Sequence, residues 1–332
     1  MKLLFIFTGG TIGSTLVGET IAADETKSYK IIDFYSRKYK IDFEYDVCEP
    51  YVELSENNTG DSIRILTECV RDNLDKGYDG IIVTHGTDTM QFSAAAVGYT
   101  AGVDSVPICF VSSNSPIESC DSNALCNLHG AIELIRRAED RGVFVIYKNL
   151  RDRVVKVHRA TRLIGSKSFS DDVSSIFSTV YGQFDLDFNF ERNADYSERA
   201  DEISTLDFSS LCEMSEDIML LFPYTGMTYP TIDDNIKYII VNTYHSGTIN
   251  TKSERAKRFF AEAKAKNVTV FATGIKEGPQ YESSNMFSEL NIIPLKNMSP
   301  VAAYVKLWAL SSSGKYSYKN MISSLSGDIS PL

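Results

Sequence analysis

The sequence predicts an α/β protein: a larger N-terminal domain built on a doubly wound, mainly parallel sheet, and a smaller C-terminal α/β domain. Three observations predict it. As far as Tyr147, short apolar runs alternate with stretches of helical spacing, which is the pattern of βαβ units. The runs are apolar throughout instead of alternating, as strands covered on both faces are. Between Gly182 and Ser204 the chain turns to Asp, Asn, Glu and Arg with isolated aromatics, and strand and helix signals then resume. The expected boundaries are 1–185 for the N-terminal domain, 186–214 for a linker and 215–332 for the C-terminal domain.

The elements follow in order. Met1 to Phe7 reads as a buried strand turned by Gly9 and Gly10. Ser14 to Lys27 is polar and weakly periodic, a long loop and a candidate lid. Tyr29, Ile32, Phe34 and Tyr35 have helical spacing, Phe43 to Val47 is the next strand, and Asp61 is placed to cap the helix that carries Ile63, Leu66 and Val70. Gly80 to Val83 is a strand, Ser93 to Gly98 a helix of small residues, Val106 to Val111 a strand and Asp121 to Arg137 a helix. Gly142 to Tyr147 is a strand with Val154 to Val157 as its hairpin partner. In the C-terminal part, Ile218 to Phe222, Tyr238 to Val241 and Val268 to Phe271 read as strands; Ser253 to Lys264, Pro300 to Leu310 and Lys315 to Leu325 read as helices.

Composition narrows the function. A chain of 332 residues with net charge -11 and scattered Lys and Arg carries no footprint for nucleic acid or an anionic membrane. Six cysteines without CxxC spacing read as reduced thiols, several of them in the core, which fits the cytoplasm. The N-terminal apolar run is too short for a signal peptide, and no later stretch could span a bilayer. Four histidines lie far apart without ligand spacing, so neither a metal nor another cofactor is expected. The partners expected are a small molecule and further copies of the chain.

Two strand exits carry chemistry. Thr8-Gly9-Gly10-Thr11-Ile12-Gly13-Ser14 offers a hydroxyl free of bulky neighbours and glycines that let backbone N–H groups approach a ligand. Thr84-His85-Gly86-Thr87-Asp88-Thr89-Met90 adds the hydroxyl of Thr87 and the carboxylate of Asp88. Together they could supply the nucleophile, water-positioning group and orienting charge of amide hydrolysis. A phosphate cradle is the rival at the first exit, but the P-loop lysine and the GxGxxG spacing are absent. Glycines that merely turn the chain, and an Asp88 that merely caps a helix, are the plainer readings. His85, beside a buried strand, reads as packed and hydrogen-bonded rather than catalytic.

These two segments, in this order, resemble the signature segments of the bacterial-type L-asparaginases and asparaginase-glutaminases. The likeness extends through Ser55-Glu56 and through Val111 to Asn127, and weakens towards the C-terminus. It implies the same two-domain α/β fold, with sites completed at subunit contacts in a homodimer or homotetramer. It assigns the nucleophile to Thr8, water activation or proton transfer to Thr87, the grip on the substrate's amino group to Asp88, and the hold on the α-carboxylate and α-amino groups to Ser55 and Glu56. The family's catalytic lysine aligns with Arg159, an always-protonated group that could stabilise charge but hardly accept a proton. The family's loop tyrosine has no match at Gly18 to Ile21, which leaves Tyr29 as the candidate lid residue. In the C-terminal part, Asn242 to Asn250 and Ile275 to Ser283 are strand exits, and Glu282 is a candidate contributor to the site.

The leading expectation is therefore a cytoplasmic amidohydrolase that releases ammonia from asparagine or a related amide. A binding or regulatory relative with altered or lost catalysis is the alternative, on account of Arg159. A protein that helps transfer amide nitrogen to tRNA comes third, because the chain is acidic and its first strand starts at Met1 with no further domain expected ahead of it.

Overall fold

The computed structural model describes residues 1–10 and 30–331, and the backbone of 14–17 and 20–23. Its first part runs β1 (Lys2–Phe7), β2 (Ser14–Val17), β3 (Thr20–Ala23), α1 (Lys30–Lys38), β4 (Glu44–Cys48) and α2 (Gly60–Arg71). It continues through β5 (Gly80–Thr84), α3 (Met90–Ala101), β6 (Ile108–Val111), α4 (Ala124–Arg136), β7 (Val143–Tyr147), β8 (Val155–Arg159), β9 (Gly182–Phe184) and β10 (Phe190–Arg192). These strands, apart from the β2–β3 hairpin, form one eight-stranded sheet in the order β10-β9-β8-β7-β6-β5-β1-β4.

The strands from β4 to β7 in that order are parallel, and β8, β9 and β10 extend the sheet antiparallel. From β1 the chain moves to β4 on one side, then crosses back over β1 to β5 on the other. The order thus reverses between β1 and β5, and open parallel sheets bind ligands beyond the carboxyl ends of their strands at such a switch. β1, β5, β6 and β7 are buried along almost their whole length, which explains why they read as unbroken apolar runs. Helix α3 (MQFSAAAVGYTA) is buried nearly all round. Its small residues let Gly98 approach Thr161, where an added Cβ would meet the Thr161 methyl at 2.9 Å.

The second sheet is four-stranded and wholly parallel, β11 (Ile218–Leu221), β12 (Tyr238–Asn242), β13 (Thr269–Ile275) and β14 (Ile292–Lys296). Its helices are α5 (Glu254–Ala265), α6 (Glu282–Asn285), α7 (Pro300–Ser312) and α8 (Tyr318–Ile322). Helix α7 begins as its sequence directs: Ser299 Oγ accepts from Ala302 N, and Pro300 occupies the first helical position, where no N–H is needed.

Several expectations change. The tract from Ser14, read as a loop, contains the β2–β3 hairpin. Helix α2 starts at Gly60 with Thr59 as its N-cap, whose N–H donates to Ser62 Oγ, while Asp61 pairs with Arg64 in the first turn. The large sheet runs on to Arg192 inside the polar tract, past the expected edge at residue 185, because β10 is an exposed edge strand with little apolar signal. Of the cysteines, Cys109 is buried, whereas Cys120 and Cys212 are exposed, and all are free. Among the described residues no helix is long and apolar enough to cross a membrane.

Candidate active site

Strand β1 delivers Thr8 to the switch point. Its backbone N–H and its hydroxyl both donate to the Thr84 carbonyl at the end of β5, at 3.3 and 2.8 Å. Thr8 is 2% exposed. The turn that follows is possible only with glycine: Gly9 and Gly10 have φ of +96° and +80°. A Cβ on Gly9 would stand 2.3 Å from the Glu53 carbonyl oxygen, and one on Gly10 would stand 2.4 Å from Gly86 N. That close approach lets Glu53 N donate to Thr8 O and Gly10 N donate to Glu53 O, which draws the exit of β4 onto the same spot.

The stretch beyond β4 then brings Ser55 to the exit of β5. Ser55 is buried against Gly86, where a Cβ would meet Ser55 Oγ at 2.4 Å. Thr89 Oγ1 donates to the Ser55 carbonyl at 2.8 Å. Glu56, next in the short 3-10 turn Ser55–Asn57, is exposed. Thr8, Ser55 and the stretch Gly86 to Thr89 therefore converge, although they lie on three different strand exits.

Thr87 and Asp88 line a cleft of about 500 Å³ whose other wall is the segment from Leu163 to Val173. Asp88 does not cap α3; the N-cap residue is Thr89. The Asp88 carbonyl accepts from Gln91 Nε2 at 2.9 Å and from Ser166 Oγ at 3.4 Å, which ties the two walls together. The opposite wall carries Lys167 with Asp171 and Asp172. Lys167 is exposed, and it lines the same cleft as the threonine and aspartate of the β5 exit. Sequence reading missed it because it sits in a Gly/Ser-rich loop, GSKSFS, with no periodic signal.

Beneath the two threonines lies a buried polar chain. His85 is fully buried, and burial pushes its pKa down to about 4, so the ring is neutral at pH 7. Its Nδ1 faces the Gly86 carbonyl at 2.9 Å, and its Nε2 faces Asn58 Nδ2 at 3.2 Å. Asn58 Nδ2 also reaches the Tyr51 hydroxyl at 3.3 Å, and burial pushes the Tyr51 pKa up. The packed reading of His85 agrees with these contacts.

Other expected residues lie elsewhere. β8 runs antiparallel to β7, so the register pairs Arg159 with Phe144, near the amino end of β7. Arg159 is thus at the opposite end of the sheet from Thr8. There Nε donates to Glu198 Oε1 at 2.7 Å, Nη1 donates to the Arg141 carbonyl at 3.0 Å, and the guanidinium lies 4.4 Å from the Phe144 ring centre. Burial weighs against its charge, but Tyr196 and Glu198 outweigh that and raise its pKa. Glu282 is exposed in the first turn of α6 and pairs with exposed Lys252 at 3.4 Å. Tyr29, the candidate lid residue, lies outside the described residues, as do Thr11, Ile12 and Gly13. Among the described residues no group of three or more His, Cys, Asp or Glu is placed to hold a metal ion.

Comparison with known proteins agrees with this fold. The family profile described as "Asparaginase, N-terminal" matches residues 2–185. Among curated relatives, the D subunit of the glutamyl-tRNA(Gln) amidotransferase of Haloquadratum walsbyi is 34% identical over 179 residues, which are 52% of this chain and 39% of that protein. Its counterpart in Pyrobaculum aerophilum is 26% identical over 323 residues, 94% of this chain and 75% of that protein. The stretch matched in the Haloquadratum walsbyi protein is thus under half of its length. Among solved structures, the thermostable L-asparaginase from Thermococcus kodakarensis covers 100% of both chains with a TM-score of 0.76 at 19% identity. L-asparaginase I from Vibrio cholerae covers 99% of both with a TM-score of 0.75 at 18% identity. At these identities the structural likeness speaks for the fold.

Proposed function

The chain belongs to the asparaginase family, and on that premise we propose that it is an amidohydrolase acting on the side-chain amide of L-asparagine or a related amide. The observation that carries this reading is the convergence of Thr8 with the Thr87-Asp88 exit across the β1/β5 switch, through the shared Thr84 carbonyl. In this reading Thr8 Oγ1 attacks the amide carbon, ammonia leaves, and water hydrolyses the acyl-threonine to the free acid. Thr87 positions the water or passes a proton. Asp88 binds the substrate's amino group, and Ser55 with Glu56 holds the α-substituents. Arg159, committed to Glu198 at the far end of the sheet, takes no part. Lys167 is the cation that lines the cleft among the described residues.

An ammonia-release assay on asparagine, glutamine and aspartate β-hydroxamate, with Thr8→Ala as control, tests the reading. Turnover that the variant abolishes supports it. Folded wild-type protein without turnover, yet raised in Tm by aspartate, would instead identify the binding or regulatory protein.

The names of the curated relatives favour a second reading, in which the same amidase chemistry serves an amidotransferase. Glutamine preferred over asparagine, with ammonia release stimulated by a partner protein and tRNA, would select it. For the first reading, the assembly proposed is a homodimer or homotetramer in the cytoplasm, and light scattering on the purified chain checks the assembly.

A further inference from the structure

We infer that Cys48 and Cys69 form a modification site, a dithiol that a low-molecular-weight disulfide such as oxidised glutathione converts reversibly into an intramolecular disulfide bond. The inference is independent of the proposed amide chemistry, because it concerns the two sulfurs alone.

The fold brings these thiols together from separate elements. Cys48 is the last residue of β4 and pairs in register with Ile6 of β1. Cys69 stands in the last turn of α2, three residues after Leu66, and so shares a helix face with a side chain that is fully buried. Both cysteines pack at the margin of the cluster that holds Leu4, Ile6, Leu66 and Val70. There the two Sγ atoms lie 3.1 Å apart. A disulfide needs about 2.05 Å between them, so about 1 Å of approach separates the dithiol from the bond. Both side chains are half-buried, whereas Cys109 is sealed in the core. Among the described residues no third ligand joins them to make a metal site, so the chemistry on offer is that of one sulfur with the other.

The two sulfurs are not equivalent. Burial first, and then the hydrogen bond to Cys48 and the charge of that neighbour, push the Cys69 thiol up to about 12, so it stays protonated at neutral pH. Cys48 is therefore the sulfur that meets the oxidant. As a thiolate it attacks one sulfur of oxidised glutathione, and the first glutathione leaves as a thiolate that takes up a proton. Once Cys48 is held in the mixed disulfide, its charge no longer opposes ionisation of Cys69. Cys69 then gives its proton to water, its sulfur displaces the second glutathione from Cys48, and the Sγ–Sγ bond forms. The two protein thiols have lost two electrons and two protons, and glutathione disulfide has gained them and left as two thiols.

The bond joins the end of β4 to the last turn of α2 and closes into a ring the segment that carries Glu53 and Ser55. Glu53 already links the two elements at the other end of the helix. Its Oε2 accepts from Ser62 Oγ at 3.1 Å, and its backbone bonds to Thr8 and Gly10. The disulfide thus adds a covalent tie to a junction that native contacts already hold, and the closed ring restricts the unfolded chain.

The test incubates the full chain with oxidised glutathione at mildly alkaline pH, in the wild type and in a Cys120→Ser, Cys212→Ser background that removes the exposed thiols. Peptide mapping should find Cys48 joined to Cys69, lighter by two hydrogens and free of glutathione, and dithiothreitol should restore both thiols. The oxidised form should melt about 5 °C above the reduced form, a shift that Cys48→Ser and Cys69→Ser each abolish together with the bond. Glutathione that stays on Cys48 overturns the inference, as do thiols that survive at both positions while the equally half-buried Cys126 is modified. An oxidised form that melts no higher than the reduced one overturns it too, because the bond is then made at the expense of native packing.

Discussion

The two ends of the large sheet hold two buried polar clusters of opposite character. At the carboxyl ends of β1 and β5, Tyr51, Asn58 and His85 form a neutral chain of hydrogen bonds that ends on the Gly86 carbonyl, and Thr8 donates to the Thr84 carbonyl. At the other end, Arg159 is clamped by Glu198, Tyr196 and the Arg141 carbonyl. Thr87 and Asp88, which follow His85 at the exit of β5, line a cleft. The second uses its charge internally, as a strut between β8 and the segment that follows β10. A neutral cluster beside a cleft can respond to charge developing on a substrate, whereas an ion pair already satisfied has nothing left to offer.

This contrast can be broken most directly at Thr8. Thr8→Ala should lower kcat by about a thousandfold or more while costing only about 1 kcal/mol of stability for the lost hydrogen bond, read by ammonia release and by urea unfolding. Arg159→Met should do the reverse. It strands Glu198 and the Arg141 carbonyl, and the loss of one partner of a buried pair should cost about 3 kcal/mol, with kcat within about twofold of the wild type. A large loss of kcat at unchanged stability would return Arg159 to the chemistry.

The pH dependence sharpens the same comparison. The pKa of His85 falls from 6.5 in the unfolded chain to about 4 in the fold. Its stabilising contribution is therefore complete above pH 6.5 and declines as the pH falls towards 4, by up to about 3 kcal/mol in all. His158, buried on β8 and bonded to Ser175 Oγ, is held down to about 3 and adds to the same loss. Unfolding midpoints between pH 7 and 4 should fall less steeply in His85→Gln than in the wild type, by about one proton's slope. The smallest effect is expected at the cleft wall. Lys167→Ala should reduce turnover about tenfold and leave the unfolding midpoint in place, since Lys167 is exposed.

What could be read in advance depended on how local the signal is. The parallel strands stood out because burial on both faces demands apolar runs, and helix α4 because its apolar spacing is regular. β14 was missed: it is short, exposed in alternate positions and contains Pro294. β10 was hidden in a polar tract, as an edge strand can be. At the site, Thr8, Thr87 and Asp88 were legible because threonine, glycine and aspartate at strand exits are unusual in themselves. Tyr51 and Asn58 were not, because a tyrosine after Pro50 and an asparagine before a helix carry no signal of their own.

By itself, then, the sequence determined the α/β class, the sheet-forming runs and the hydroxyl-rich exits, all of which follow from burial and local backbone demands. Tertiary structure alone decided which exits meet and which way each side chain faces. The return of the chain across β1 joins β4 and β5 to one point, and the antiparallel turn into β8 carries Arg159 to the far end of the sheet. Strand direction is a property of the pairing, and no residue in the strand encodes it.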